Sequence, residues 1–207
     1  MDIGLIPMAA KPYHAGHHWL VEKAANENDK VIVFVSLSDR VKKGQFPIYG
    51  KDMERVWREE LEPIMPGNVE LRYGGAPVGN VYKEIGQAVE SGSPDTYSIY
   101  SDAVDTMRNY SEKNRIKYMD PLYSAGQVRF PAEENPEQFT RGAGGPGDAP
   151  DISGTSMRAA LGAGDVATFC AGLPAGVDAQ SCINILRQEG VQEAILRSYI
   201  RALWRAA

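Results

Sequence analysis

Strand-like and helix-like hydrophobic patterns alternate along the first half of the chain. Ile3-Gly4-Leu5-Ile6-Pro7-Met8 is a short apolar run, and Val31-Ile32-Val33-Phe34-Val35 is a continuous, β-branched one. The second is the pattern of a parallel strand buried on both faces. Val69-Glu70-Leu71-Arg72-Tyr73, after the turn Pro66-Gly67-Asn68, and Thr96-Tyr97-Ser98-Ile99-Tyr100 predict a third and a fourth strand. Helical spacing fills the gaps: His17, Trp19, Leu20, Val21, Ala24 and Ala25; then Met53, Val56, Trp57 and Leu61 up to Pro63; then Val81, Ile85, Ala88 and Val89. The succession predicts an α/β fold built on a parallel sheet, in which ligands bind beyond the carboxyl ends of the strands.

From Pro121 to Pro150 the periodicity fails, and Arg141 to Asp148 is the most glycine-rich part of the chain. The run 142–147 is expected to be a mobile loop that closes over a ligand as a lid, with an inter-domain linker as the alternative. Ala179 to Gln188 and Val191 to Trp204 predict two amphipathic helices separated by Gly190. These are expected to pack on the sheet or to join copies of the chain in a homo-oligomer. At 207 residues and 43% hydrophobic content, the expected organisation is one main domain, 1–175, with 176–207 as a helical appendage of it.

Charge narrows the class of partner. Acidic residues outnumber basic ones 27 to 22, which argues against a surface for nucleic acid, whose affinity comes from basic patches on phosphate. Lys11, Arg40, Lys42, Lys43, Lys51 and Arg55 nevertheless fall in or near the loops after the first two strands, a concentration that suits a small polyphosphate. No apolar stretch approaches a membrane span, and Asp2 argues against a secretory leader, so a cytoplasmic protein with no membrane partner is expected. Cys170 and Cys182 lie in helix-like sequence without ligand spacing, and are expected to be reduced and structural, with no metal site.

All three histidines of the chain fall in Lys11-Pro12-Tyr13-His14-Ala15-Gly16-His17-His18, between the first strand and the first helix. Gly16 lets backbone approach a ligand there, the first amides of the helix favour an anion, and His14 and His17 can add donors. The alternatives are a histidine-rich helix start or a metal site of two or three imidazoles. A second segment, Asp151-Ile152-Ser153-Gly154-Thr155-Ser156-Met157-Arg158, opens another helix. Ser153 or Thr155 can cap it, and Arg158 falls within the first turn, where a guanidinium can fork onto phosphate oxygens.

The H-x-G-H turn after the first strand, paired with I-S-G-T-x-x-R late in the chain, resembles the signature of the nucleotidylyltransferase superfamily. Pro47-Ile48-Tyr49-Gly50-Lys51-Asp52-Met53-Glu54-Arg55 is similar to the N-P-F-x-x-x-E-R segment of its nicotinamide-nucleotide adenylyltransferase branch, and Gly164-Asp165-Val166 with Leu173-Pro174 resembles the end of the phosphate-binding helix. Met8-Ala9-Ala10-Lys11-Pro12 departs from the G-R-F-Q-P run usual in that branch, and Tyr100-Ser101-Asp102 stands where a glycine-aspartate signature is expected. The resemblance implies a Rossmann-like doubly wound parallel sheet with C-terminal helices, and transfer of a nucleoside monophosphate, AMP from ATP first, to a phosphomonoester such as nicotinamide mononucleotide, with release of pyrophosphate. The alternatives it leaves are cytidylyl transfer from CTP and a nucleotide-binding regulator without turnover. It implies His14, His17 and Arg158 as catalytic residues, and Met8, Ala9, Gly16, Ile152, Ser153 and Thr155 as nucleotide-binding ones. Lys11, Lys42, Lys43, Ser101 and Asp102 are implied in binding the acceptor or phosphate, Lys42 or Lys43 at the acceptor or the α-phosphate and Asp102 at a ribose or base, with an exposed strand-end aspartate as the alternative for Asp102. Mg2+ arrives with the nucleotide. His18 is expected to take a surface role on the helix.

Overall fold

The computed structural model describes residues 1–140 and 150–187. Five strands, β1 (Asp2–Met8), β2 (Lys30–Val35), β3 (Val69–Tyr73), β4 (Thr96–Ile99) and β5 (Val128–Arg129), form one all-parallel sheet in the order β3-β2-β1-β4-β5. The helices in chain order are α1 (Ala15–Glu27), α2 (Gly50–Val56), α3 (Pro77–Ser91), α4 (Ala103–Asn109), α5 (Glu112–Met119), α6 (Pro131–Glu134), α7 (Gly154–Ala163) and α8 (Val166–Ala171). A π-helical turn, Trp57–Leu61, continues α2. This is the Rossmann-like α/β arrangement expected. Residues 179–187 are helical; the predicted run 191–204 and the glycine-rich run 142–147 lie outside the described residues.

The chain divides into two compact units. The first is Met1–Ala10, Ala15–Ser36 and Met65–Ile152, and the second is Lys11–His14, Leu37–Ile64 and Ser153–Ala207. The first holds the whole sheet. Side chains alternate across a strand, so Ile3, Leu5, Ile32 and Phe34 face one way, where Val81, Ile85 and Ala88 of α3 complete a core with Tyr97, Ile99 and Tyr110. Ile6, Val31, Val33 and Val35 are also buried, and α1 packs on β1 and β2 with Val21 and Ala24 buried. Burial on both faces is why β1 and β2 read as unbroken apolar runs. Each fully buried aliphatic side chain contributes roughly 1.5–3 kcal/mol.

β1 is the central strand, with Leu5 opposite both Ile32 of β2 and Ile99 of β4. From it β2 and β3 are laid down to one side, β4 and β5 to the other. The carboxyl ends of β1 and β4 therefore flank the point where strand order reverses, the place where open α/β sheets bind ligands. Met8 ends β1 there, and Ser101 and Asp102 follow β4.

In the second unit Trp57, fully buried, meets the Tyr13 ring edge-on at 4.8 Å. The loop between Leu37 and Gly50 is folded back on itself: Arg40 N donates to Ile48 O (2.7 Å), Ile48 N donates to Arg40 O (3.1 Å), and Gly50 N donates to Asp39 Oδ1 (2.8 Å). A Cβ at position 50 would lie 1.7 Å from the Leu37 carbonyl oxygen, so only glycine permits this closure.

Candidate phosphate site

The two segments singled out in the sequence meet through one side chain. Arg158 lies in α7 and is 4% exposed. It donates from Nη1 to the Lys11 carbonyl (2.6 Å), from Nη2 to Thr155 Oγ1 (2.9 Å) and from Nε to Gln45 Oε1 (3.1 Å). All three acceptors are neutral, and among the described residues no carboxylate pairs with it. A guanidinium carries five N–H donors, so two remain after these bonds. Burial, and then the charge of Arg40, hold its pKa below the usual arginine value.

Local sequence explains why α7 starts here. Ser153 has extended backbone and accepts from Ser156 N, while Ser156 Oγ reaches back to the Ser153 amide, a capping box. A Cβ at Gly154 would stand 3.0 Å from Arg158 Nη1 and 3.4 Å from the Lys11 carbonyl oxygen. Glycine thus lets the helix start close on the histidine-bearing turn. Thr155 and Ser156 are exposed, and Ile152 and Ser153 are half-buried.

Two further cations belong to the same unit. Lys11 is buried, and loss of hydration lowers its ammonium pKa to about 8 against the opposing attraction of Asp39. Arg40 Nε is buried with no hydrogen-bond acceptor among the described residues. Arg40 and Arg158 repel one another, Lys11 and Arg158 are buried, and a multiply charged anion relieves both the repulsion and the lost hydration. Lys42 and Lys43 are exposed at the tip of the loop.

His14, 3% exposed, is the last residue before α1, and His17 and His18 lie in its first turn. His18 Nε2 is 3.6 Å from Glu22 Oε1, and burial lowers its pKa despite that carboxylate, favouring the neutral ring. Gly16 is the second residue of α1. Met8 is buried and Ala9 exposed, and Ala10 turns the chain out of β1 with a φ of 30°, uncommon for a residue with a Cβ. Lys11 and His14 belong to the second unit with Ser153, Thr155 and Arg158, whereas Met8, Ala9, Gly16, His17, Ser101, Asp102 and Ile152 belong to the first.

At the carboxyl end of β4, the Ser101 and Thr106 hydroxyls are 2.6 Å apart and Asp102 Oδ1 accepts from Asp105 N (2.7 Å). Both side chains hold the start of α4. A cleft of about 310 Å3 opens beside them, lined by Asp102, Ala103, Val104, Asp105, Phe139 and Thr140. Phe139 is set edge-on to Trp19 at 5.7 Å. It had no signal in the sequence, because it falls where the periodicity fails. Gln45 was equally hard to place, since its hydrogen bond to Arg158 spans 113 residues of chain, and so was the closeness of the Arg40 charge to Arg158.

Among the described residues no three His, Cys, Asp or Glu side chains converge as metal ligands, and no helix is long and apolar enough to cross a membrane. Cys170 and Cys182 are both thiols, and burial pushes that of Cys182 up to about 12.

Residues 3–49 match the family model of the citrate lyase ligase C-terminal domain. The match runs from β1 through the histidine turn, α1 and β2 into the loop that carries Arg40 and Gln45. That stretch is similar to an enzymatic, nucleotide-utilising family. No curated protein matches the chain.

Proposed function

We propose that the protein is a nucleotidylyltransferase that moves a nucleoside monophosphate, AMP from ATP in the favoured case, onto a phosphomonoester acceptor such as nicotinamide mononucleotide. One observation carries the reading: a buried arginine at a capped helix start is held only by neutral acceptors and feels the like charge of Arg40. Such a site is built for a polyphosphate. The match of residues 3–49 to a domain of a ligase, with an adenylyl-transfer character, supports the same chemistry.

In this reading a phosphate oxygen of the acceptor attacks the α-phosphorus in line. The new P–O bond forms as the bond to the β-phosphate bridging oxygen breaks, and pyrophosphate departs with that electron pair. The attacking oxygen is already ionised, so neither a protein nucleophile nor a general base is required. The protein supplies alignment and charge. His14 and His17 donate to the triphosphate as negative charge shifts onto the leaving group. Ser153, Thr155 and Arg158 hold the β- and γ-phosphates, and Lys11, with Lys42 or Lys43 from the loop tip, meets the α-phosphate or the acceptor. Met8, Ala9, Gly16 and Ile152 present backbone to the nucleotide, and Ser101 and Asp102 border the acceptor. Magnesium enters as part of the nucleotide substrate, held by phosphate oxygens and water.

The test is a pyrophosphate-release screen crossing four nucleoside triphosphates with a panel of phosphomonoesters. Release that needs both partners, largest with ATP, is expected; preference for CTP would shift the assignment to cytidylyl transfer. Tight triphosphate binding with no release from any pair would overturn the enzyme reading in favour of a nucleotide-binding regulator.

A further inference from the structure

We infer that Gln45 is a positioning residue for the phosphate site, one whose neutrality is what the site requires; the inference rests on the reading of that site as a polyphosphate site. A guanidinium can be fixed in orientation by a carboxylate or by neutral acceptors. The carboxylate grips harder but cancels the charge that an anion is meant to find. Arg158 is fixed the second way, by the Lys11 carbonyl, the Thr155 hydroxyl and the Gln45 amide oxygen. The first two come from the histidine turn and from α7 itself. Gln45 is the one of the three that reaches in from the loop.

That loop is held in place independently of the contact. The paired backbone bonds of Arg40 and Ile48 close it, and Gln45 N donates to the Lys42 carbonyl (3.2 Å). Gln45 is exposed while the arginine it meets is buried, so its side chain stands between the guanidinium edge and solvent. Because Arg158 Nε can only donate, the amide oxygen faces it, and the two N–H donors of the Gln45 amide face away. Gln45 thereby orients the buried cation and preserves its charge.

The isosteric Gln45→Glu variant isolates the electrostatic part, since it keeps shape and acceptor and adds one negative charge. Gln45→Met isolates the hydrogen bond, since it keeps length and removes the acceptor. Titration calorimetry with inorganic pyrophosphate and magnesium, on full-length protein, reads the site without turnover. Expected affinities fall in the order parent, Met, Glu, with the Glu variant weakened about tenfold or more and its affinity less sensitive to salt. Thermal unfolding of the Glu variant is expected at or above the parent temperature, which separates lost affinity from lost fold. If the Glu variant binds pyrophosphate like the parent, the Gln45 assignment is wrong while the phosphate site stands. If the parent binds no pyrophosphate, the polyphosphate reading fails, and this inference with it.

Discussion

Two buried arginines, one in each unit of the chain, are held in opposite ways. Arg115 in α5 donates to both carboxylate oxygens of Glu133 and to the Tyr110 carbonyl, and its guanidinium lies 3.7 Å over the Phe130 ring. Burial opposes its charge, but Glu133 and Tyr123 outweigh the burial and raise its pKa. Arg158, equally buried, has only neutral acceptors and a like charge nearby, and its pKa is lowered. Both are buried cations with three or more hydrogen bonds, so burial and satisfaction alone do not separate them. The sign of the surroundings does. A cation already neutralised from within the chain ties the fold together, whereas one left with its charge intact creates a field for something from outside.

The sharpest way to break this contrast is to exchange each arginine for methionine. Arg158→Met is expected to lower turnover by roughly two to three orders of magnitude, the scale for a lost charge-stabilising donor, with little change in unfolding temperature. Arg158→Lys, which keeps the charge and loses the planar fork, should lower turnover even where nucleotide still saturates. Arg115→Met is expected to cost about 2–3 kcal/mol of stability, less than a fully buried pair because Glu133 is partly solvated, with per-molecule activity unchanged. Denaturant unfolding beside single-turnover rates checks both. Equal loss of stability in the two variants would show Arg158 to be structural.

His17→Ala extends the comparison to the first turn of α1. Its turnover is expected to fall about a hundredfold or more with folding nearly intact; near-normal turnover would remove that histidine from the chemistry.

What was legible in the chain follows the same division. β1 and β2 stood out because both of their faces are buried, leaving few polar positions to interrupt the apolar runs, and β3 and β4 because turn residues set off short β-favouring runs even where polar positions interrupt them. β5 did not, because it is two residues long, one of them exposed. The ends of the phosphate site, Lys11 to His14 and Ser153 to Arg158, were visible as short motifs, since a turn and a helix start must be built from neighbouring residues. What surrounds Arg158, namely Gln45 and the charge of Arg40, a loop cation the sequence did single out, could not be placed beside it. Those depend on which loop arrives at which helix, and no local spacing records it.

Lys11 gives a comparison within one residue, because its effects on binding and on stability have opposite signs. Its folded pKa of about 8 lies below its usual value of 10.5. Between these the unfolded chain binds the extra proton, so Lys11's contribution to stability rises as pH increases from about 8 toward 10.5. Anion affinity should do the reverse, weakening several-fold as the ammonium loses its proton through pH 8. Pyrophosphate titrations from pH 7 to 9.5, set against Lys11→Met, check this. An unchanged pH profile in the variant would mean that the buried amine does not face the anion.

The smallest expected effects concern Ser153 and Asp102, each the cap of a helix and each a predicted contact. Ser153→Ala and Asp102→Ala should both cost about 1 kcal/mol from the lost cap, which by itself says nothing about ligands. The informative change is Asp102→Asn, which keeps an oxygen for Asp105 N and removes only the charge. If Asp102 borders the acceptor, KM for the acceptor should shift a few-fold while KM for the triphosphate and the unfolding midpoint stay put, because the charge lies at the cleft beside β4 and the capping bond survives. Parent-like kinetics in the Asn variant would leave Asp102 with capping alone, and the acceptor's polar contacts would then have to be sought elsewhere on that cleft, beginning with Asp105 and Thr140.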